Sequence, residues 1–211
     1  MLRKLLVIGI VLAAILVAVD YGARLYSQRV VADQIQSSLD LPQRPAVKFG
    51  GWPFIPHALS GNLDSATVTA TELKAQGVRL TKVVLTLQDV HFSSHRMITT
   101  GYGKVFAKQG AVTAVLSQQD LDQTLQSEGL PLSVTFEGGR ATASIGGVSV
   151  TVAVALDGDT LVLTPSGAGG VSARIGLPLP IRGMHYTALR VTSGQIALSA
   201  AAKNVVLILP K

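Results

Sequence analysis

The chain has 211 residues, enough to bury one sizeable core and, behind a leader, to form one domain. Only 14% of it is charged and 48% is apolar, a poor supply of polar surface, and the lack of cysteine excludes disulfides, thiolate metal sites, a cysteine nucleophile and an acylated leader cysteine. The formal net charge is +6, and basic residues are dispersed through the body at Lys74, Arg79, Lys82, Arg96, Lys104, Lys108, Arg140, Arg174, Arg182 and Arg190, without the aromatic-studded basic stripe of a nucleic-acid binder, so the better-matched partner is an anionic membrane surface or lipid headgroup; a merely solvated basic face explains any single residue equally well.

Arg3 and Lys4 precede an apolar run from Leu5 to Val19 that ends at Asp20. Its length suits either a signal-peptide core or a short membrane span. No clean small-x-small cleavage site follows, which favours a retained anchor over residues 1–19 with a single domain over 20–211. The two early cations orient the N-terminus inward and place the body on the extracytoplasmic side of the cell membrane. From Tyr21 to Leu39 the residues Leu25, Tyr26, Val30, Val31, Ile35 and Leu39 recur on one helical face, and Pro42 and Pro45 end the pattern. Arg24 and Arg29, close to the anchor, are placed to meet anionic headgroups.

A short strand, Val47 to Phe49, leads into a segment with Gly50, Gly51, Pro53 and Pro56, through which neither helix nor ladder is expected to run. That turn carries Trp52, the only tryptophan, with Phe54, Ile55 and Leu59. These four side chains either plug the end of a core or line an apolar groove mouth and touch a bilayer. Period-two patterns then read as strands from Leu63, over Gly77 to Phe92 and over Val105 to Leu116. Ser117 with Asp120 resembles a capping box opening a short helix through Leu121 and Leu125, stopped by Gly129 and Pro131.

The last third reads as an antiparallel meander, Leu132 to Glu137, Arg140 to Ile145, Val148 to Leu156, Thr160 to Thr164, Val171 to Ile175, Leu189 to Thr192 and Gln195 to Leu209. Gly138-Gly139, Gly146-Gly147, Asp157-Gly158 and Ser193-Gly194 are its hairpin signals. Val148 to Leu156 has large residues on one face and Ser, Thr and Ala on the other, with no charge on either until Asp157. Such a strand asks for cover on both sides, and the Tyr21 to Leu39 helix can supply one of them. The other cover is a second protein layer or an apolar ligand, and both readings stay open.

Catalytic patterns are missing. His91 and His95 are four apart but fall on a strand end and a loop without the glutamate of a zinc-protease helix, so no metal and no cofactor is expected. Asp120 with Asp122 and Asp157 with Asp159 fit a helix start and a turn. Gly101 to Lys104 lacks the spacing of a phosphate loop, and Ser166 to Gly170 reads as a flexible turn. A hydrolase would need Ser, His and Asp converging in space, with His185 or His57 as the base; the expectation is a non-enzymatic protein.

A leader helix and five stretches after it together resemble the LmeA family of actinobacterial phospholipid-binding envelope proteins: the Gly51–Gly61 turn, the strands Val68–Leu73 and Leu85–Val90, the Leu121–Leu125 helix and the closing Gly194–Ser199 strand. The resemblance covers residues 20–210. It implies an α+β fold of the tubular lipid-binding class, a long amphipathic helix on a strongly curved antiparallel sheet enclosing an acyl groove, with one short additional helix. It further implies phospholipid handling, or assembly of lipid-linked glycans, outside the cytoplasmic membrane. An alternative reading is a structural or scaffolding envelope protein with a dry core.

Overall fold

A computed structural model describes residues 2–75, 77–94, 103–130, 132–166, 172–178, 181 and 183–209. Its first element, α1 (Leu2–Ser38), is one continuous helix of 37 residues, about 55 Å long at 1.5 Å per residue. The first half, including Leu6 to Val19, is exposed and is long and apolar enough to cross a membrane. The second half is part of the body.

The stripe that docks α1 differs from the one its leucines and valines suggest. Ala32 is buried, and Ala23, Val31 and Ile35 pack on the core, whereas Leu25, Tyr26, Val30 and Leu39 face outward. Polar residues do the joining: buried Asp20 and half-buried Arg24 lie on the docked side. Arg24 donates from its guanidinium to the carbonyl of Phe49, at the end of β1 (Ala46–Phe49).

Against expectation, a helix does form in the proline-rich turn: α2 (Phe54–Ser60). Its N-cap position is Pro53, which has no side-chain acceptor to offer. Pro56, the third residue, has no N–H to satisfy, so it costs nothing there. The two remaining donors of the first turn are both met by Asp20, whose carboxylate accepts from Phe54 N at 2.8 Å and Ile55 N at 2.7 Å. One side chain of α1 thus replaces the missing cap of a helix 34 residues further on.

A six-stranded antiparallel sheet follows the order β1-β2-β3-β4-β11-β10, with β2 (Asn62–Ala75), β3 (Val78–Phe92), β4 (Gly103–Ser117), β10 (Tyr186–Thr192) and β11 (Gln195–Leu209). Its long strands do not keep one face inward. Gln88 and Asp89 are both exposed between buried Leu87 and Val90, Lys108 and Gln109 between buried Ala107 and Gly110, and Lys203 and Asn204 just before buried Val205. The register runs unshifted through this line, Gln88↔Gln109↔Lys203 and then Val90↔Ala107↔Val205. All three strands therefore switch faces together. Asp89 and Asn204 accomplish it with φ of 51° and 55°, the left-handed region that Asp and Asn enter at least cost. A second such switch sits at Glu72, φ 55°, opposite exposed Thr81 and Lys82. These breaks bend the sheet strongly.

Between β4 and its partner β11 the chain inserts α3 (Gln118–Ser127) and a five-stranded antiparallel sheet, β5 (Ser133–Glu137), β6 (Arg140–Ile145), β7 (Val148–Asp157), β8 (Thr160–Pro165) and β9 (Ala173–Gly176). Ser117 caps α3, accepting from Asp120 N at 3.1 Å. The β5 amides at Val134 and Phe136 bond to Asp122 and Gln118 of α3, which closes that sheet edge. The most completely buried side chains gather around this insertion: Phe136, Leu116, Leu121, Leu125, Leu161, Ile196 and Leu198 are all at 2% exposure or less. β7 is not covered on both sides. Val152 is buried, Val148 and Val150 are exposed, and α1 packs on β1 and α2 instead. The serines, threonines and alanines of β7 supply a face polar enough for water.

Candidate functional site

One row of side chains crosses the inner face of the six-stranded sheet in register: Val47, Val68, Leu85, Val112, Ala200 and Tyr186. Its two ends are covered. Val47 is 7% exposed beneath α1, and Val112, Ala200 and Tyr186 are 1%, 2% and 5% exposed. On that second side Met184 reaches over the sheet, close enough that a Cβ at Gly110 would lie 3.0 Å from its terminal methyl. Between the two covers Val68 and Leu85 are only half-buried. The sheet thus leaves an apolar strip part open at these two residues.

The depressions described on the surface lie elsewhere. One of about 510 Å³ adjoins the end of α2 and is lined by Ser60, Asn62, His91, Phe92, Lys104 and Phe106. One of about 740 Å³ on β5 to β7 is polar, with Glu137, Arg140, Thr142 and Ser149. Neither involves Val68 or Leu85.

The six candidate residues part company. Trp52 and Leu59 are 70% and 64% exposed, on the segment that Asp20 ties to the start of the body. Phe54 is buried and stacks on Phe49 with ring centroids 5.8 Å apart, so it belongs to the core. Ile55 is half-buried and packs on that core. Arg24 is engaged with the Phe49 carbonyl, while Arg29 is exposed. Asp20, which in the sequence marks only the end of an apolar run, is the residue that fixes this segment.

Among the described residues no group of His, Asp and Glu could hold a metal ion; His95 lies outside them. His185 does meet a carboxylate, its Nδ1 lying 2.6 Å from Asp159, but among the described residues no serine or threonine hydroxyl bonds to either group. The pair instead joins the β7–β8 insertion to β10, since Asp159 also accepts from Tyr186 N at 3.1 Å. Partial burial pushes the Asp159 carboxyl up, but the hydrogen bonds from His185 and Tyr186 and the imidazolium charge outweigh it and hold the carboxyl below its usual value. A depressed carboxyl stabilises the fold above its unfolded value of 3.8 and loses that contribution as pH falls through the folded one. Thermal unfolding followed by circular dichroism is expected to lose stability on this account only below about pH 4, and Asp159→Asn to flatten that acid limb.

The model of the LmeA-like phospholipid-binding family matches residues 18–201. The chain belongs to that family. The match takes in Asp20, α2, the whole six-stranded sheet as far as Ala201, and the inserted sheet. Comparison with curated proteins and with solved structures finds no match.

Proposed function

We propose that this LmeA-like protein is a non-enzymatic, membrane-anchored phospholipid-binding protein whose body lies on the extracytoplasmic side. There it shelters acyl chains for lipid handling or for assembly of lipid-linked glycans. The observation that carries the reading is the half-open strip at Val68 and Leu85 in a chain of a phospholipid-binding family. Burying an acyl chain along such a strip yields roughly 0.8 kcal/mol per methylene, so a handful of methylenes suffices without polar chemistry. The anchor is the exposed apolar half of α1, which needs a nonaqueous environment. Arg3 and Lys4 at its start favour an inward N-terminus.

Mass spectrometry of organic extract from gently purified full-length protein is expected to find bound phospholipid. Leu85→Glu sets a charge in the strip and is expected to cut the recovered lipid about fivefold or more, with the fold intact because the site is part open. An extract without phospholipid, or one that Leu85→Glu leaves unchanged, counts against the acyl strip. The tightly closed core around α3 favours a second reading, a scaffolding envelope protein, and an empty extract from the wild-type chain is the result that reading requires.

A further inference from the structure

The 510 Å³ depression at the end of α2 has a composition that the acyl strip lacks. Asn62, His91, Phe106 and Val206 are neighbours in register across β2, β3, β4 and β11, on the outward face beyond the sheet bend. Phe106 and Val206 are 48% and 46% exposed where the alternation calls for polar residues. Lys104 lies two residues before Phe106 on the same face and is exposed. No carboxylate lines the depression, and none pairs with Lys104 among the described residues. Ser60 Oγ donates to the His57 carbonyl and accepts from Asn62 Nδ2, and Asn62 Oδ1 pairs with His91 Nδ1. What this chain of bonds leaves for an anion is the Lys104 ammonium, the second Asn62 N–H and the far nitrogen of His91, next to exposed apolar side chains, the chemistry of a phosphate-and-glycerol site.

The carbonyl end of α2 borders the depression and would repel an anion were its oxygens free. They are not. His57, Ala58 and Leu59 carbonyls accept from Ser60 Oγ at 2.9 Å, Gly61 N at 3.2 Å and Ser94 Oγ at 2.9 Å. Position also fits. α2 starts at the residues held by Asp20, immediately beyond the apolar stretch, and its seven residues span about 10 Å. The polar layer of one leaflet is about 5 to 8 Å deep, so with α1 across the bilayer even an upright α2 leaves the depression no more than about 5 Å outside the headgroup layer.

We infer that this depression is a headgroup subsite that takes the phosphate of a membrane phospholipid on Lys104, with Asn62 and His91 beside it and Phe106 and Val206 against the glycerol and first methylenes. The inference rests on the phospholipid-binding reading and adds a second contact to it, at the membrane end of the sheet.

The test uses the full-length protein in nanodiscs of phosphatidylcholine doped with a phosphatidylglycerol that carries a photoreactive diazirine on its headgroup. After irradiation, peptide mapping is expected to place crosslinks within residues 59–62 and 103–106. Lys104→Glu, at an exposed position, is expected to lower that labelling about tenfold while leaving the phospholipid recovered by organic extraction unchanged. Wild-type protein that retains extractable phospholipid but crosslinks elsewhere, or labels equally with Lys104→Glu, overturns the subsite and leaves the acyl strip standing. Protein that retains no phospholipid overturns both. Excess inorganic phosphate is expected to compete poorly; competition as effective as that of unlabelled phosphatidylglycerol vesicles overturns the lipid assignment in favour of free phosphate.

Discussion

Gly61→Ala is expected to destabilise the folded protein by about 3 kcal/mol or more. Two penalties coincide at this position. Gly61 has φ of 75°, where a Cβ costs about 1 to 2 kcal/mol. That Cβ would also stand 2.1 Å from the carbonyl oxygen of Phe92, and backbone cannot move aside as a side-chain tip can. Relief would require separating α2 from the end of β3 and breaking the Phe92 N to Gly61 O bond of 2.8 Å. Gly77 is the control, because its φ is 82° with nothing within 4 Å of the added atom. Gly77→Ala carries only the conformational penalty. In thermal unfolding of the full chain in detergent micelles, the control is expected to fall by about 2 to 4 °C per kcal/mol lost, and Gly61→Ala by two to three times as much. Equal shifts would show that the close approach of α2 to β3 is not real.

Hairpins and caps were legible in the sequence because they are local. Gly138-Gly139 and Gly146-Gly147 have positive φ at both positions, as the two-residue turns require, and Ser117 caps its helix as its spacing to Asp120 suggests. What failed depends on distant partners. β4 ends at Ser117 and its partner begins at Gln195, with a whole second sheet between them, and nothing local to either strand names the other. The switch at Gln88–Asp89 reads as a lapse in alternation until the same lapse is seen beside it at Lys108–Gln109 and Lys203–Asn204. α2 was hidden by its prolines, which break helices in the interior but not in the first turn, whose N–H groups have no intrahelical acceptor in any case. The α1 stripe was misassigned because weight was given to its larger side chains, whereas Asp20 and Arg24 make the specific bonds. Trp52 and Leu59 among the candidate site residues were recognisable as an apolar load on a turn; Phe54 looked the same in sequence, and only its stacking on Phe49 tells it apart.

Asp20→Ala is expected to free α2 from α1 without unfolding the sheet. The mutation leaves Phe54 N and Ile55 N without their acceptors, and neither Pro53 nor Pro56 can substitute, since a proline side chain accepts nothing. Amide exchange at Phe54 and Ile55 is expected to accelerate at least about tenfold, with the amides of β3 and β4 unaffected. Asp20→Asn keeps one acceptor oxygen and is expected to fall between the two. Because Trp52 is the only tryptophan and adjoins the latched segment, its fluorescence reports the consequence for the membrane. In nanodiscs, lipids brominated near the headgroup are expected to quench Trp52 in the wild type and to quench it less in Asp20→Ala, because a loosened α2 no longer keeps a fixed height above the bilayer. Unchanged exchange and unchanged quenching would mean that α2 is held to α1 by its other contacts alone, and that the carboxylate does not fix the position of the Trp52 segment.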